Sequence, residues 1–261
     1  MQSASDQWFD EAYYQRFYFD KKTSVVDQEH IERLGTFVCS YLKYLRVPVT
    51  RVLDVGCGIG LWKDVVQQQF PGCSYQGVEF SEYLCERFGW TQGSVVDYQS
   101  SAPFDLVICQ GVLPYLSPAD LKKALRNLGQ LSRGALYLEA VTREDYERDI
   151  IDEDLTDPRL FRHRAALYRQ GLSQHFSALG GGLWLSRQCS VPVFELECPL
   201  RPPPSPMPSR VCAPSVCCAA RARFWPVVAP KGNAARAAAC APRTACVRCA
   251  HTCQRRQASA C

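Results

Sequence analysis

The stretch Arg51–Trp62, RVLDVGCGIGLW, runs from apolar residues straight into glycines at alternate positions, Gly56, Gly58 and Gly60. Without Cβ atoms, such a turn lets backbone N–H groups approach a ligand closely. In an open parallel sheet, ligands bind beyond the carboxyl ends of the strands, near the switch in strand order. The dinucleotide fingerprint G-x-G-x-x-G reserves its third glycine for the position that holds Leu61 here, so that match fails by one residue. Asp54, just ahead of the glycines, would repel a pyrophosphate and favour a cationic group. A ligand carrying a sulfonium and an α-amino group suits this turn better than one carrying two phosphates.

Outward from the turn, apolar strand-like and amphipathic helix-like segments alternate. Strand 51–55 is followed by the helix LWKDVVQQQF, stopped by Pro71-Gly72. SYQGVEF reads as a second strand, and SEYLCERFG as a helix with Ser81 as its N-cap. GSVVDY (93–98) reads as a short third strand, and the continuous apolar run FDLVICQGVL as a fourth, buried on both faces. Ser117-Pro118 starts the helix PADLKKALRNLGQL, with proline at its first position, and GALYLEAV is the fifth strand. A helical stretch over 159–179 follows, then GGGLWLSRQ and VPVFELEC as a terminal strand pair. The expected fold is a Rossmann-like α/β/α sandwich around a mostly parallel seven-stranded sheet with the last strand antiparallel. Ahead of it, the aromatic-rich segment before residue 48 becomes helical, with Ile31, Leu34, Phe37, Val38, Tyr41, Leu42 and Leu45 recurring every three or four residues.

Two further acids complete the expected site. Glu79 ends the second strand, placed to accept from both ribose hydroxyls of a nucleoside. Asp97, at the end of the third, could accept from an adenine amino group. Singly, Asp54 or Asp97 could equally cap a helix and Glu79 could be a solvated loop acid. Three acids ending three successive strands beside a glycine turn are hard to place by chance.

VLDVGCGIG, GVEFSEYL, GSVVDY and FDLVICQGVLPYL, in this order, resemble class I S-adenosylmethionine-dependent methyltransferases. YYQRFYFDKKTSVVD and LYLEAVTREDYE are similar to a bacterial branch of small-molecule-type methyltransferases, and the likeness covers about residues 10–198. The resemblance implies S-adenosyl-L-methionine as cofactor, with Asp54, Gly56, Cys57, Gly58 and Gly60 around its methionine part. It implies Glu79 and Phe80 at the ribose, Val96 and Asp97 at the adenine, and Cys109, Gln110 and Gly111 on the face opposite the substrate.

Methyl transfer from a sulfonium is an in-line displacement that needs positioning and exclusion of water, so no metal is expected. Glu139, at the end of the fifth strand, faces the right edge to act as a base; a surface or capping acid is an equal reading. His163 and His175 read as packed or exposed rather than catalytic. Tyr14, Arg16 and Tyr18, with Tyr115 behind the fourth strand, could close over cofactor and substrate, or simply pack as core. No Asn/Asp-Pro-Pro-aromatic element and no Pro-Cys follows the fourth strand, which argues against N6-adenine, glutamine-amide and C5-cytosine methylation. The expected acceptor is a small molecule methylated on O or N. A cofactor-binding scaffold without activity, or a nicotinamide-dependent oxidoreductase, are the alternatives.

Composition divides the chain. Residues 201–261 hold nine Arg, one Lys and no acids, with nine of the 17 Pro and eight of the 15 Cys. Residues 1–200 therefore carry 20 basic against 26 acidic residues, a formal charge of −6, and offer no electrostatic track for nucleic acid. The expected organisation is a helical segment at 1–48, the methyltransferase domain at 49–200, and a tail at 201–261. CVRCAHTC in that tail suggests zinc but lacks a convincing first pair of ligands. Its Ala/Pro/Arg/Cys composition, as read from GC-rich DNA out of frame, fits a disordered or artefactual extension. No run is apolar and long enough for a membrane span, and no secretory signal begins the chain, so a cytoplasmic location is expected. Nothing in the sequence sets the oligomeric state.

Overall fold

The structure, a computed structural model, describes residues 8–20 and 28–197. The Ala/Pro/Arg/Cys-rich segment and its cysteine–histidine cluster lie outside the described residues, as do residues 21–27.

The chain opens with a short helix α1 (Glu11–Tyr14), capped by the Asp10 carboxylate and continued by a π-helical turn at Gln15–Phe19. Helix α2 (Gln28–Tyr44) buries Ile31, Val38 and Leu42 as its periodicity predicts, whereas Phe37 and Tyr44 face outward. Then come β1 (Arg51–Val55), α3 (Trp62–Gln69), β2 (Ser74–Glu79), α4 (Glu82–Phe88), β3 (Thr91–Gln92) and β4 (Phe104–Gln110). They are followed by α5 (Pro118–Leu131), β5 (Ser132–Glu139), α6 (Arg143–Glu147), α7 (Ala165–Leu172), β6 (Phe176–Gly180) and β7 (Leu183–Ser186). Both expected caps are present: the hydroxyl of Ser81 accepts from Leu84 N–H, and that of Ser117 from Asp120 N–H ahead of Pro118.

The seven strands form one sheet in the order β3-β2-β1-β4-β5-β7-β6. β1 to β5 pair in parallel, and β7 is antiparallel to both β5 and β6. The two-residue alternation of the strands sorts side chains onto two faces. Val52, Leu106 and Ile108 pack with α2 and α3, while Leu53, Val55, Val107 and Cys109 pack with α5 and α7. Each fully buried leucine in these layers, such as Leu128, contributes about 2–5 kcal/mol relative to alanine. Gly35 lets α2 lie close on α3, since a Cβ there would sit 2.7 Å from Val65 Cγ1.

Three element boundaries differ from the sequence expectation. The third strand is Thr91–Gln92, not 93–98; Ser94–Tyr98 instead closes a turn in which Asp97 and Tyr98 N–H donate to Ser94 O. The helix expected over 159–179 is only Ala165–Leu172, because Phe176–Gly180 pairs with Leu183–Ser186 as a hairpin across Gly180-Gly181-Gly182. VPVFELEC adds no strand within the described residues; it is irregular up to a 3₁₀ turn at Glu195–Glu197.

Candidate active site

Because β1, β2, β4 and β5 run parallel, Asp54, Glu79, Gln110 and Glu139 arrive at one edge of the sheet. β1 leads outward to β2 and β3, and β4 returns on its other flank, so the glycine turn sits at the switch in strand order.

The turn is tied down from several sides. Gly56 and Cys57 N–H both donate to Val78 O, and Trp90 Nε1 donates to Gly58 O at 3.0 Å. All three glycines hold positive φ, at 73°, 54° and 83°. A Cβ on Gly56 would lie 2.2 Å from Val112 Cγ2, and one on Gly60 would lie 2.6 Å from Trp90 Cζ2. A Cβ on Gly58 would meet only the Tyr18 ring, at 3.8 Å. The first and third glycines therefore serve packing, and the second keeps open the gap beneath Tyr18.

Glu79 is buried and braced by main chain. Its Oε2 accepts from Gly58 N–H at 2.7 Å, and its Oε1 from Phe80 and Ser81 N–H at 2.8 and 3.0 Å. The Tyr14 hydroxyl stands 3.5 Å from the same Oε1. Four donors thus address its two oxygens, three at Oε1 and one at Oε2, so the spare acceptor position lies on Oε2. Burial raises the Glu79 pKa against these donors. Asp54, also buried, accepts from the Tyr75 hydroxyl. Burial raises its pKa to about 7, with Tyr75 lowering it and the Glu79 charge raising it further.

Two cavities open on this edge. The first is walled by Glu79, Phe80, Gly93–Val96, Gln110, Gly111 and Leu116. The second is walled by Asp54, Cys57, Trp62, Glu139, Leu155 and Asp157. They share Gly56, Gly58, Gln110, Gly111, Tyr13, Tyr18 and Tyr115. The N-terminal aromatic segment therefore roofs both. Tyr13 and Tyr115 hydroxyls lie 2.8 Å apart, and Tyr115 donates to Asp157 Oδ2 at 3.1 Å. Arg159 grips Asp157 through Nε and Nη2, donates to Trp8 O at 3.1 Å, and lies over the Trp8 and Tyr13 rings. At the far end, Gln110 Nε2 and the Tyr137 hydroxyl donate to Glu139 Oε2 at 3.2 and 3.0 Å, and Trp62 Nε1 donates to Gln110 Oε1 at 2.7 Å.

Among the described residues lining the two cavities there are acids but no Lys, Arg or His. Several expected residues lie apart from them. Asp97 is exposed on its turn and lines neither cavity, whereas its neighbours Gly93, Ser94, Val95 and Val96 line the first. Arg16 is exposed and lies over the Phe17 ring outside the cavity walls. Cys109 is buried in the core facing α5 and α7, and Gly60 supports the turn from beneath. His163 is packed, with Nε2 2.9 Å from Leu116 O. The sequence reading missed Tyr75, Trp90, Asp157 and Arg159. Only the lone tryptophan after Gly89 was distinctive enough to have been noticed.

The fold and edge define a doubly wound α/β protein with a pair of adjoining cavities at its switch point. The family model described as a methyltransferase domain matches residues 28–180, and the chain belongs to that family. No curated protein sequence matches the chain. Among solved structures, the PH0226 protein from Pyrococcus horikoshii OT3 is 18% identical over 68% of this chain and 97% of its own, with a TM-score of 0.50. Magnesium protoporphyrin IX methyltransferase (ChlM) from Synechocystis PCC 6803, with bound SAH, is 18% identical over 66% and 87%, with a TM-score of 0.47. CalS10, an amino pentose methyltransferase from Micromonospora echinaspora, is 21% identical over 42% of this chain, with a TM-score of 0.36; the chain spans about half (52%) of its length. No helix among the described residues is long and apolar enough to cross a membrane.

Proposed function

We propose that the chain transfers the methyl group of S-adenosyl-L-methionine to the oxygen or nitrogen of a small-molecule acceptor. The observation that carries this reading is a glycine turn flanked by buried acids, with no basic side chain among the described cavity residues. Such walls suit a cationic donor and oppose the pyrophosphate of a nicotinamide cofactor. When bound, S-adenosylmethionine supplies an electrophilic methyl group on a sulfonium.

In this reading Gly56 and Gly58 present backbone to the methionine part, and Asp54 faces its positive charge. Glu79 offers one acceptor position to the ribose. Phe80 and Val96, with the Gly93–Ser94 backbone, flank the adenine in place of Asp97. Gln110 and Gly111 close the opposite side, while Cys57, Gly60 and Cys109 support the turn and strand from the protein side. Tyr13, Tyr14, Tyr18 and Tyr115 keep water from the reacting centre. Titration calorimetry with S-adenosylmethionine and its demethylated product tests the reading. Binding by both is expected, and a folded sample that binds neither refutes it. Binding without turnover on any acceptor favours a scaffold instead.

A further inference from the structure

The second cavity extends past the shared tyrosines into a chamber the donor reading does not use. Its outer walls are Pro114, Val141, Leu155 and Leu160, and its floor holds Glu139 and Asp157. Asp157 is neutralised by Arg159, and Asp54 is occupied by Tyr75. Glu139 differs. Its two donors, Gln110 and Tyr137, are neutral and both use Oε2, and Glu139 lines the chamber with no cationic partner among the described residues. Its orientation is fixed. Trp62 Nε1 holds Gln110 Oε1, which obliges the Gln110 amide nitrogen to point at Glu139, and pairing of Gln110 with Glu139 across β4 and β5 sets their spacing. Burial and the nearby Glu139 charge raise the Tyr137 pKa, keeping that phenol a donor.

We infer that the chamber takes an acceptor with an apolar body and an amine, and that Glu139 binds this nitrogen and removes its proton. An anionic acceptor would meet Glu139 with no basic side chain among the described walls to offset it. A neutral alcohol would gain only an ordinary hydrogen bond there, whereas an ammonium gains a charge-assisted one. The bound ammonium first gives one proton to Glu139, which is exposed and passes it to water. The freed lone pair then forms the new N–C bond as the donor's S–C bond breaks, the bonding pair stays on sulfur, and the methylated nitrogen carries the positive charge that the sulfonium loses.

This inference rests on the donor reading, so the test separates the two. The protein is first saturated with S-adenosylhomocysteine, then titrated with 2-phenylethylamine, 2-phenylethanol and 3-phenylpropanoate. The amine should bind about tenfold more tightly than the carboxylate, or better. In Glu139→Gln that preference should vanish while affinity for S-adenosylhomocysteine stays within about twofold. Equal or tighter binding of the carboxylate, no amine binding to the saturated protein, or a preference that survives Glu139→Gln overturns the acceptor class. Failure of the folded protein to bind S-adenosylhomocysteine refutes the donor reading instead.

Discussion

The N–H of Gly58 donates to Glu79 Oε2 at 2.7 Å, so the acid that ends β2 is bolted to the turn that follows β1. Glu79 thereby organises the turn as well as facing the cavity. Glu79→Ala strands three N–H groups, at Gly58, Phe80 and Ser81, in a buried place. We expect a loss of about 1–3 kcal/mol in thermal or denaturant unfolding, together with weakened cofactor binding. Full stability in Glu79→Ala would show that water replaces the carboxylate at no cost.

Gly56 and Gly72 offer a matched comparison, because both hold positive φ but only Gly56 is crowded. Gly72→Ala should cost about 1–2 kcal/mol and leave ligand affinity unchanged, since nothing lies within 4 Å of the added methyl. Gly56→Ala adds a 2.2 Å clash with Val112 and should also abolish binding. Equal behaviour of the two variants in calorimetry would refute this account of the turn.

Asp54, if it faces the donor's charge as proposed, should make ligand binding pH-dependent. Burial raises its pKa to about 7, so in the free protein it is largely protonated below that value. A cationic ligand favours the ionised form, lowers this pKa and releases a proton on binding. Affinity should therefore rise from about pH 5 to 7 and level off above. Stability of the free protein runs the other way: Asp54's contribution is full below the unfolded value of about 4 and is lost as pH rises through 7. Calorimetry in two buffers of different ionisation enthalpy reads the released proton directly, and Asp54→Asn should abolish it.

Asp105 behaves oppositely and serves as a control. Burial would raise its pKa, but Arg133 and the Thr50 and Arg51 donors outweigh it and hold the value at about 2. Its stabilisation is present above the unfolded carboxylate range and is lost as pH falls from about 4 to 2. Asp105→Asn should flatten that acid limb of a stability–pH curve without touching ligand binding.

Arg159 tests what secures the roof. Arg159→Ala leaves the buried Asp157 charge unpaired and removes the tie to Trp8 O. Amide exchange across residues 9–19 should quicken, with the sheet unaffected. Unchanged exchange would mean that ring packing, such as Phe9 on Tyr115 at 5.1 Å, holds the segment alone.

Removal of residues 201–261 is the test of the proposed domain limits. Among the described residues, one buried layer ends at Phe176 and the other at Leu185, with Cys189, Val191 and Val193 packed against the second, so the shortened chain should unfold at the same temperature and bind the cofactor equally. A large drop in unfolding temperature would show that the segment belongs to the fold.

The long elements were legible because burial leaves a periodic trace. β4 reads as a strand from six consecutive buried residues, and α5 from Ser117-Pro118 and its leucine spacing. β3 was missed because an edge strand of Thr91 and Gln92, both exposed, carries no apolar signal, whereas β-branched Val95 and Val96 mimicked one. The β6–β7 hairpin was missed because three consecutive glycines read as the start of a strand rather than as its turn. At the site, Asp54, Glu79 and the glycines were visible as a local motif. Asp157 and Arg159 were not, because they meet Tyr115 and Trp8 only through a long loop.

The aromatic roof has a consequence for exchange. Tyr13 and Tyr18 cover both cavities, so neither chamber can exchange its contents through that side independently of the other. One displacement of a dozen residues would then act as a shared clock. On the proposed function, loosening the roof would therefore change the exchange of donor and acceptor together rather than that of either alone.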